Sequence, residues 1–372
     1  MQIIKTVFFF ILIFTFSCKN DPPSIKDPGT EKPEKNDPKP TKMIVNIDNL
    51  RIRAEPGDKG AEIGRLREGT VLYDLGEVSD FTTRVQLRGI WFEEPWLKVK
   101  TEQNLEGWVY GGAVKFDMDN PTDLAKKILN IRLQTFFGKG LTARLNRYKN
   151  NYDSLKTSKG FVKIFKEGLR LRDTLANTLE NRINVSEGNS QMPDLFWIEE
   201  AFPGYVTQLV AEGTVYFLFI DFKQLQQKVS TTRGEEDDDF IGLNLLVYSA
   251  DSVEYFYTSW FIQTWDYGGC SLLGQGEHLK VLKEIDRVLK KSDLFAKEIT
   301  ALKDRLMNDI TNKDVDYWET KDKILDELDA IFAANISALS NEDLIALKTR
   351  SKQFEYPAEN NIKLNFRSGE VN

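Results

Sequence analysis

The spacing of the apolar residues changes near residue 117, and this change constrains the fold more than any other feature of the sequence. Between residues 43 and 116, apolar and polar residues alternate in short segments separated by turn-forming residues, as in β-strands. From residue 117 to 372, apolar residues recur every three or four positions, as in amphipathic helices. The sequence therefore predicts an α+β protein, with a small all-β domain at 43–116 and a mainly α-helical domain at 117–372.

The all-β segment divides into short strands that end at turns such as Glu55–Asp58. Strands are predicted at Met43–Ile47, Leu50–Arg53, Ile63–Leu66, Thr70–Leu75, Trp96–Lys100 and Gly107–Tyr110. Four stretches are the most distinctive: LRIRAEP at 50–56, GRLREGTV at 64–71, WLKV at 96–99 and GWV at 107–109. In this order they resemble the bacterial SH3 (SH3b) family, apart from a long aromatic insertion at Val78–Pro95. The resemblance implies an SH3-like barrel that binds cell-wall peptides or other proteins and performs no chemistry.

Exposed aromatic residues near the loop ends would form the ligand surface of such a domain, because flat rings offer a large contact area at little entropic cost. The candidates are Tyr73, Trp91, Trp96, Trp108 and Tyr110. The alternative for Trp96 and Trp108 is a place in the core of the barrel, and for these two residues we favour it. Trp91 lies in the insertion, and we expect it to contact a ligand at the surface.

The amino terminus has the pattern of an export signal. Lys5 precedes an apolar run at Val7–Phe14, which is too short to span a bilayer because a spanning helix needs about 20 residues. Residues 15–17 lead into Cys18, and the segment resembles the lipoprotein class of signal peptides. The resemblance implies cleavage after residue 17 and attachment of lipid to Cys18. The alternative is an ordinary secretory signal followed by a cysteine by chance.

Residues 18–42 are predicted to form a disordered tether, because they contain six prolines and only one large aliphatic residue, Ile25. With lipid on Cys18, the tether would hold the folded part away from a membrane of the cell envelope, on its periplasmic or its outer face. The predicted function is that of a membrane-anchored, non-catalytic binding protein whose SH3b domain binds a cell-wall peptide or an envelope protein. The alternative is a cell-wall hydrolase or hydrolase activator with residues 117–372 as its active part.

Apolar stripes and capping residues predict the helices of the second domain. Asn120–Asp123 is a strong helix start, and this helix is expected to end near Gly138. Ser340–Asp343 resembles a capping box for a helix through Lys352. Further helices are predicted over Phe161–Asn184 and along the stripes that begin at Leu279, Leu302 and Ile324.

The most apolar part of the chain lies between these helices. Tyr205–Phe222 is predicted to form two strands that turn at Glu212-Gly213, and Ile362–Phe366 alternates and is expected to add one strand. Phe240–Tyr267 is dense in aromatic residues. We interpret this stretch as the core of the domain, and the alternative is a groove for a partner.

No residue pattern in the chain requires catalysis. Cys270 and His278 lie in a glycine-rich stretch that could bring a thiol beside an imidazole base, as in cell-wall amidases that carry SH3b domains. A buried thiol and a helix-capping turn explain the same residues, and we favour that interpretation. The acidic run Glu235–Asp239 lacks the alternation and the glycine of a calcium loop, so it is predicted to be a solvated loop before a helix.

The composition limits the cofactors and partners. One histidine and two cysteines in 372 residues exclude the usual zinc sites, and no cofactor is predicted. The net charge of −7 repels nucleic acid, which is not expected as a partner unless a basic face is hidden locally.

Overall fold

The computed structural model describes residues 41–87, 90–116, 123–182, 195, 197–210, 215–248, 257–264 and 268–366. It does not describe the side chains of Ile90, Trp91 and Leu209. These ranges belong to one compact unit that begins at Pro40. The predicted signal segment, Cys18, nearly all of the tether and the helix start at 120–122 lie outside the described residues. Within the described part, the combination of one large sheet with many helices confirms the α+β class.

Seven strands form the principal sheet. They are β1 (Lys42–Val45), β2 (Leu50–Arg53), β3 (Glu62–Leu66), β4 (Val71–Leu87), β5 (Ile90–Thr101), β6 (Glu106–Tyr110) and β7 (Val114–Phe116). Neighbouring strands are antiparallel, and their order across the sheet is β3-β2-β6-β5-β4-β1-β7. The predicted strands are found because alternation turns their apolar residues toward the core, where Leu72, Leu97, Val99 and Val109 are fully buried.

The insertion at Val78–Pro95 lengthens two strands of this sheet. β4 and β5 pair from Leu72 and Thr101 to Leu87 and Ile90, with register shifts on both sides of Val78. Such irregularities bend and twist a strand pair. The predicted closure into a barrel is not found among the described strands, since β3 and β7 are the two ends of the sheet order.

Helices and two small hairpins make up most of the remaining described chain. The helices are α1 (Asp123–Asp153), α2 (Ser158–Arg182), α3 (Trp197–Ala201), α4 (Phe222–Val229), α5 (Glu236–Val247), α6 (Glu277–Lys291), α7 (Ala296–Thr311), α8 (Lys321–Ala333) and α9 (Asn341–Glu355). The predicted hairpin is found as β8 (Tyr205–Val210) and β9 (Val215–Ile220), and its turn lies outside the described residues. A second hairpin, β10 (Phe261–Gln263) with β11 (Gly269–Ser271), was not predicted.

Three predictions for this region need correction. Gly138 has a φ of +76° and kinks α1, but the helix resumes after it, so the predicted end is a bend. Residues 362–366 form no strand in the described chain, because their backbone bonds irregularly to Tyr317 and Glu319. The acidic run lies largely inside the first turn of α5, where Asp237 is buried and accepts hydrogen bonds from Ser158 and Thr232.

A buried ion pair joins the principal sheet to α1. Glu94 of β5 is 0% exposed and Arg132 of α1 is 2% exposed, and Arg132 Nε donates to Glu94 Oε1 over 2.7 Å. Arg132 also donates to the carbonyl oxygens of Gly111 and Val114, at 2.7 and 3.1 Å. Gly111 lets β5 lie close beside it, because a Cβ there would lie only 2.7 Å from the carbonyl oxygen of Pro95 and 3.2 Å from Glu94 Oε2. The pair therefore fixes how the sheet and the helices pack together.

Among the described helices, none combines the length and the apolar character that crossing a bilayer demands.

Candidate functional site

Four of the five predicted ligand residues lie on one face of the principal sheet. We call this the aromatic face and define it by Tyr73, Trp96, Trp108 and Tyr110. Side chains alternate between the two faces along a strand, and directly paired residues share a face. Tyr110 pairs with Trp96, Trp108 with Lys98, and Tyr73 with Lys100. The register therefore brings the four rings to the face opposite the core-facing residues of β5.

Trp96 and Tyr110 form the closed half of the aromatic face. Each is 4% exposed, and their rings meet edge to face with 5.7 Å between centroids. Trp96 Nε1 donates to Thr83 Oγ1, and the Tyr110 hydroxyl donates to the Thr83 carbonyl oxygen, both over 2.8 Å. Burial raises the pKa of Tyr110. For Tyr110 the structure corrects the prediction of an exposed ring, because Thr83 of the insertion contacts it. For Trp96 the buried position that we favour from the sequence is the one found.

Tyr73 and Trp108 form the open half of the aromatic face. Both rings are partly exposed, so Trp108 is neither a fully buried core residue nor a free surface ring. Lys98 and Lys100 stand on the same face beside them. The two lysines pair at the surface with Glu77 and Glu106, at 2.6 and 3.3 Å. Exposed ion pairs of this kind contribute little to stability, so they can exchange with a ligand.

The insertion adds an exposed ring that the sequence did not single out. Phe81 is 44% exposed and packs over Gly57, where a Cβ would lie 3.5 Å from its ring. Its signal in the sequence is a large apolar residue between polar neighbours, Asp80 and Thr82. Trp91 of the same insertion pairs with Gln86 through its backbone, and its side chain lies outside the described residues.

A cavity lies in the helical part, close to His278, one of the two residues for which the sequence raises the possibility of catalysis. Its volume is about 580 Å³, and it is lined by Tyr257, Thr258, Trp260, Phe261, Asp304, Arg305, Asn308, Asp309 and Val315. Asp309 Oδ2 accepts the Ser271 hydroxyl at 2.5 Å and lies 2.8 Å from His278 Nε2. Ser271 and His278 are fully buried, whereas the Asp309 side chain is 11% exposed. The Asp309 carboxylate at the cavity wall thus contacts two buried side chains behind it, Ser271 and His278.

This arrangement places the groups in an order unlike that of a nucleophilic triad. A serine or cysteine nucleophile is activated by a base that contacts its hydroxyl or thiol. Here the Ser271 hydroxyl donates to Asp309, and the Cys270 side chain is 2% exposed in β11. His278 Nδ1 has no hydrogen-bond partner among the described residues. The cluster can therefore orient Asp309 toward the cavity, while the thiol is shielded from a bulky substrate.

The described side chains also bear on metal binding. Among them, no group of three or more histidine, cysteine, aspartate or glutamate residues has the geometry to hold a metal ion.

Comparisons with protein-family models, with curated proteins and with solved structures found no match to this chain.

Proposed function

We propose that this protein is a lipid-anchored, non-catalytic binding protein of the cell envelope, whose SH3-like sheet binds a cell-wall peptide or an envelope protein through the open half of its aromatic face. The observation that carries the proposal is the shared face of Tyr73 and Trp108, which are partly exposed beside Lys98 and Lys100. Rings and cations together suit a peptide that carries carboxylates, because rings supply contact area and lysines neutralise charge.

The two halves of the aromatic face have different roles: the closed half is structural, and the open half contacts the ligand. Trp96 and Tyr110 are held by Thr83, so they supply a rigid base for the open half. Rigid aromatic contacts lose little conformational entropy when a ligand binds, which favours affinity. Phe81 lies in the insertion and adds exposed apolar surface to the all-β part of the chain.

The membrane anchor is the part of the proposal that depends on the sequence alone. It requires a processed chain that begins at Cys18 and bears acyl chains on its sulfur; several chains anchor firmly, whereas one binds only marginally. Mass spectrometry of the protein purified from membranes tests this directly. Acylated Cys18 at the amino terminus supports the anchor, and an unprocessed or unacylated start contradicts it.

The second candidate function is that of a cell-wall hydrolase or hydrolase activator, and the cavity beside Asp309 is the observation that favours it. A zymogram with purified cell wall separates the proposed binding function from that of a hydrolase. The proposal predicts no zone of lysis from the purified protein. If the wild type lyses the wall and Asp309→Asn does not, the activity is assigned to the cavity and a non-catalytic role is contradicted.

A further inference from the structure

A cationic pocket lies between α1 and α2, far along the chain from the aromatic face. Its volume is about 340 Å³, and it is lined by Arg144, Arg147, Tyr148, Asn151, Lys163, Ile164, Glu167 and Arg170. Four cationic side chains and one carboxylate give this lining a formal charge of +3. The whole protein has a net charge of −7, so the charge of the pocket is opposite in sign to that of the molecule.

The two helices supply this lining because their charged residues recur at helical spacing. Arg144, Arg147 and Asn151 lie three and four positions apart on α1, and Lys163, Glu167 and Arg170 do so on α2. Residues at this spacing share one face of a helix. Only four residues separate the end of α1 from the start of α2, and so short a connection joins neighbouring helices. The two charged faces therefore meet.

The one carboxylate does not neutralise the four cations. Glu167 forms ion pairs with Arg144 at 2.9 Å and with Arg170 at 3.5 Å. Arg147 and Lys163 are exposed, and neither forms an ion pair among the residues that the structure describes. Like charges gathered in this way repel one another and destabilise the fold. An anion that enters the pocket would relieve the repulsion.

We propose that this pocket binds a small ligand that carries a phosphate or diphosphate group. Arginine side chains match phosphate oxygens with two parallel N–H groups, and lysine adds a point charge. The volume is at the lower end of the range for small-molecule sites, roughly 300–1,000 Å³. Tyr148 and Ile164 are buried and give the pocket an apolar floor against which the rest of the ligand packs. The site is independent of the function proposed for the aromatic face.

The phosphate group could belong to a soluble compound or to the headgroup of a lipid, and calorimetry on the full chain distinguishes them. One titration uses pyrophosphate, and a second uses glycerophosphoglycerol, the deacylated headgroup of phosphatidylglycerol. Tighter binding of pyrophosphate assigns a terminal phosphate of a soluble compound. Tighter binding of glycerophosphoglycerol assigns a lipid headgroup.

The variant Arg147→Gln/Lys163→Gln removes the two cations without an ion pair, and both positions are exposed, so it should fold normally. We expect it to bind the preferred probe at least about tenfold more weakly, because two charge-assisted contacts to the anion are lost. Lys126→Gln/Lys348→Gln makes the same change in net charge at exposed positions outside the pocket and should bind as the wild type does. Failure of the wild type to bind either probe, or equal weakening in the control, would overturn the proposal.

Discussion

Among single residues, Glu94 and Arg132 matter for stability because they form a buried ion pair. Removing one member of a buried ion pair is costly because the other charge stays buried without a partner. We expect Arg132→Met to lower the free energy of unfolding by about 3–5 kcal/mol. Chemical denaturation followed by circular dichroism measures this change.

Two further variants give this prediction its controls. Lys126→Met removes an ion pair with Asp123 that is exposed, and it should leave stability nearly unchanged. The double variant Glu94→Leu/Arg132→Met removes both charges and should recover part of the loss. A single variant as stable as the wild type would show that the sheet and α1 do not depend on this pair.

Glu200 makes a separate prediction, about pH. Burial raises its pKa to about 7 from 4.5, against the opposing charge of Arg132. The folded protein therefore keeps this proton up to about pH 7, whereas the unfolded chain loses it near pH 4.5. The contribution of protonated Glu200 to the free energy of unfolding is fully present below pH 4.5. This contribution falls by up to about 3 kcal/mol as the pH rises toward 7.

Glu200→Gln should remove this part of the pH dependence. We expect the variant to match the wild type near pH 4 and to be more stable than the wild type at pH 8. Thermal unfolding at both pH values measures the difference, with Glu359→Gln at an exposed position as control. An equal response of both variants to pH would contradict the role of Glu200.

At the scale of elements, the insertion is the feature that decides which aromatic residues are available. Thr83→Val removes the acceptor for Trp96 Nε1, and a buried donor without a partner costs about 1–3 kcal/mol. Thr82→Val is the matched control, because Thr82 is exposed and adjacent in sequence. We expect only Thr83→Val to lower the midpoint of urea unfolding and to increase quenching of tryptophan fluorescence by acrylamide. Identical behaviour of the two variants would mean that Thr83 does not hold Trp96.

The sequence predicted those elements whose formation depends on local pattern. Alternation located the strands of the principal sheet, and Ser340 and Asp343 form the reciprocal capping box at the start of α9. Helical stripes located α2, α6, α7 and α8. These signals are local because a helix face or a strand face is set by neighbours within a few residues.

The features that the sequence did not predict depend on contacts between distant residues. The burial of Tyr110 and the hydrogen bond that holds Trp96 both require Thr83, whose position follows from the register of β4 on β5. The partnership of Glu94 with Arg132 spans 38 positions, and the cluster around Asp309 joins Ser271, His278 and α7 over similar separations. The sequence predicts a helix end at Gly138 instead of a kink because a glycine can mark either one.

In the molecule as a whole, two surfaces of different chemistry belong to one compact unit. The aromatic face offers rings and lysines on a sheet, and the cationic pocket offers arginines between two helices. The cationic pocket is a basic exception on a protein of net charge −7, whereas the lysines of the aromatic face are paired with Glu77 and Glu106. This distribution of charge favours an anionic ligand at the cationic pocket.

Binding of an envelope ligand by the open half of the aromatic face can be measured in two parallel assays. One is sedimentation with purified cell wall, and the other is affinity capture from envelope extract. The wild type is compared with Trp108→Ala and with Tyr356→Ala, which removes a ring that is 58% exposed in the helical part. We expect the wild type and Tyr356→Ala to bind the same fraction equally well. We expect Trp108→Ala to bind that fraction at least about tenfold more weakly, as for an aromatic contact at the centre of an interface. Binding by Trp108→Ala equal to that of the wild type, or no binding by the wild type in either fraction, would contradict the role proposed for the aromatic face.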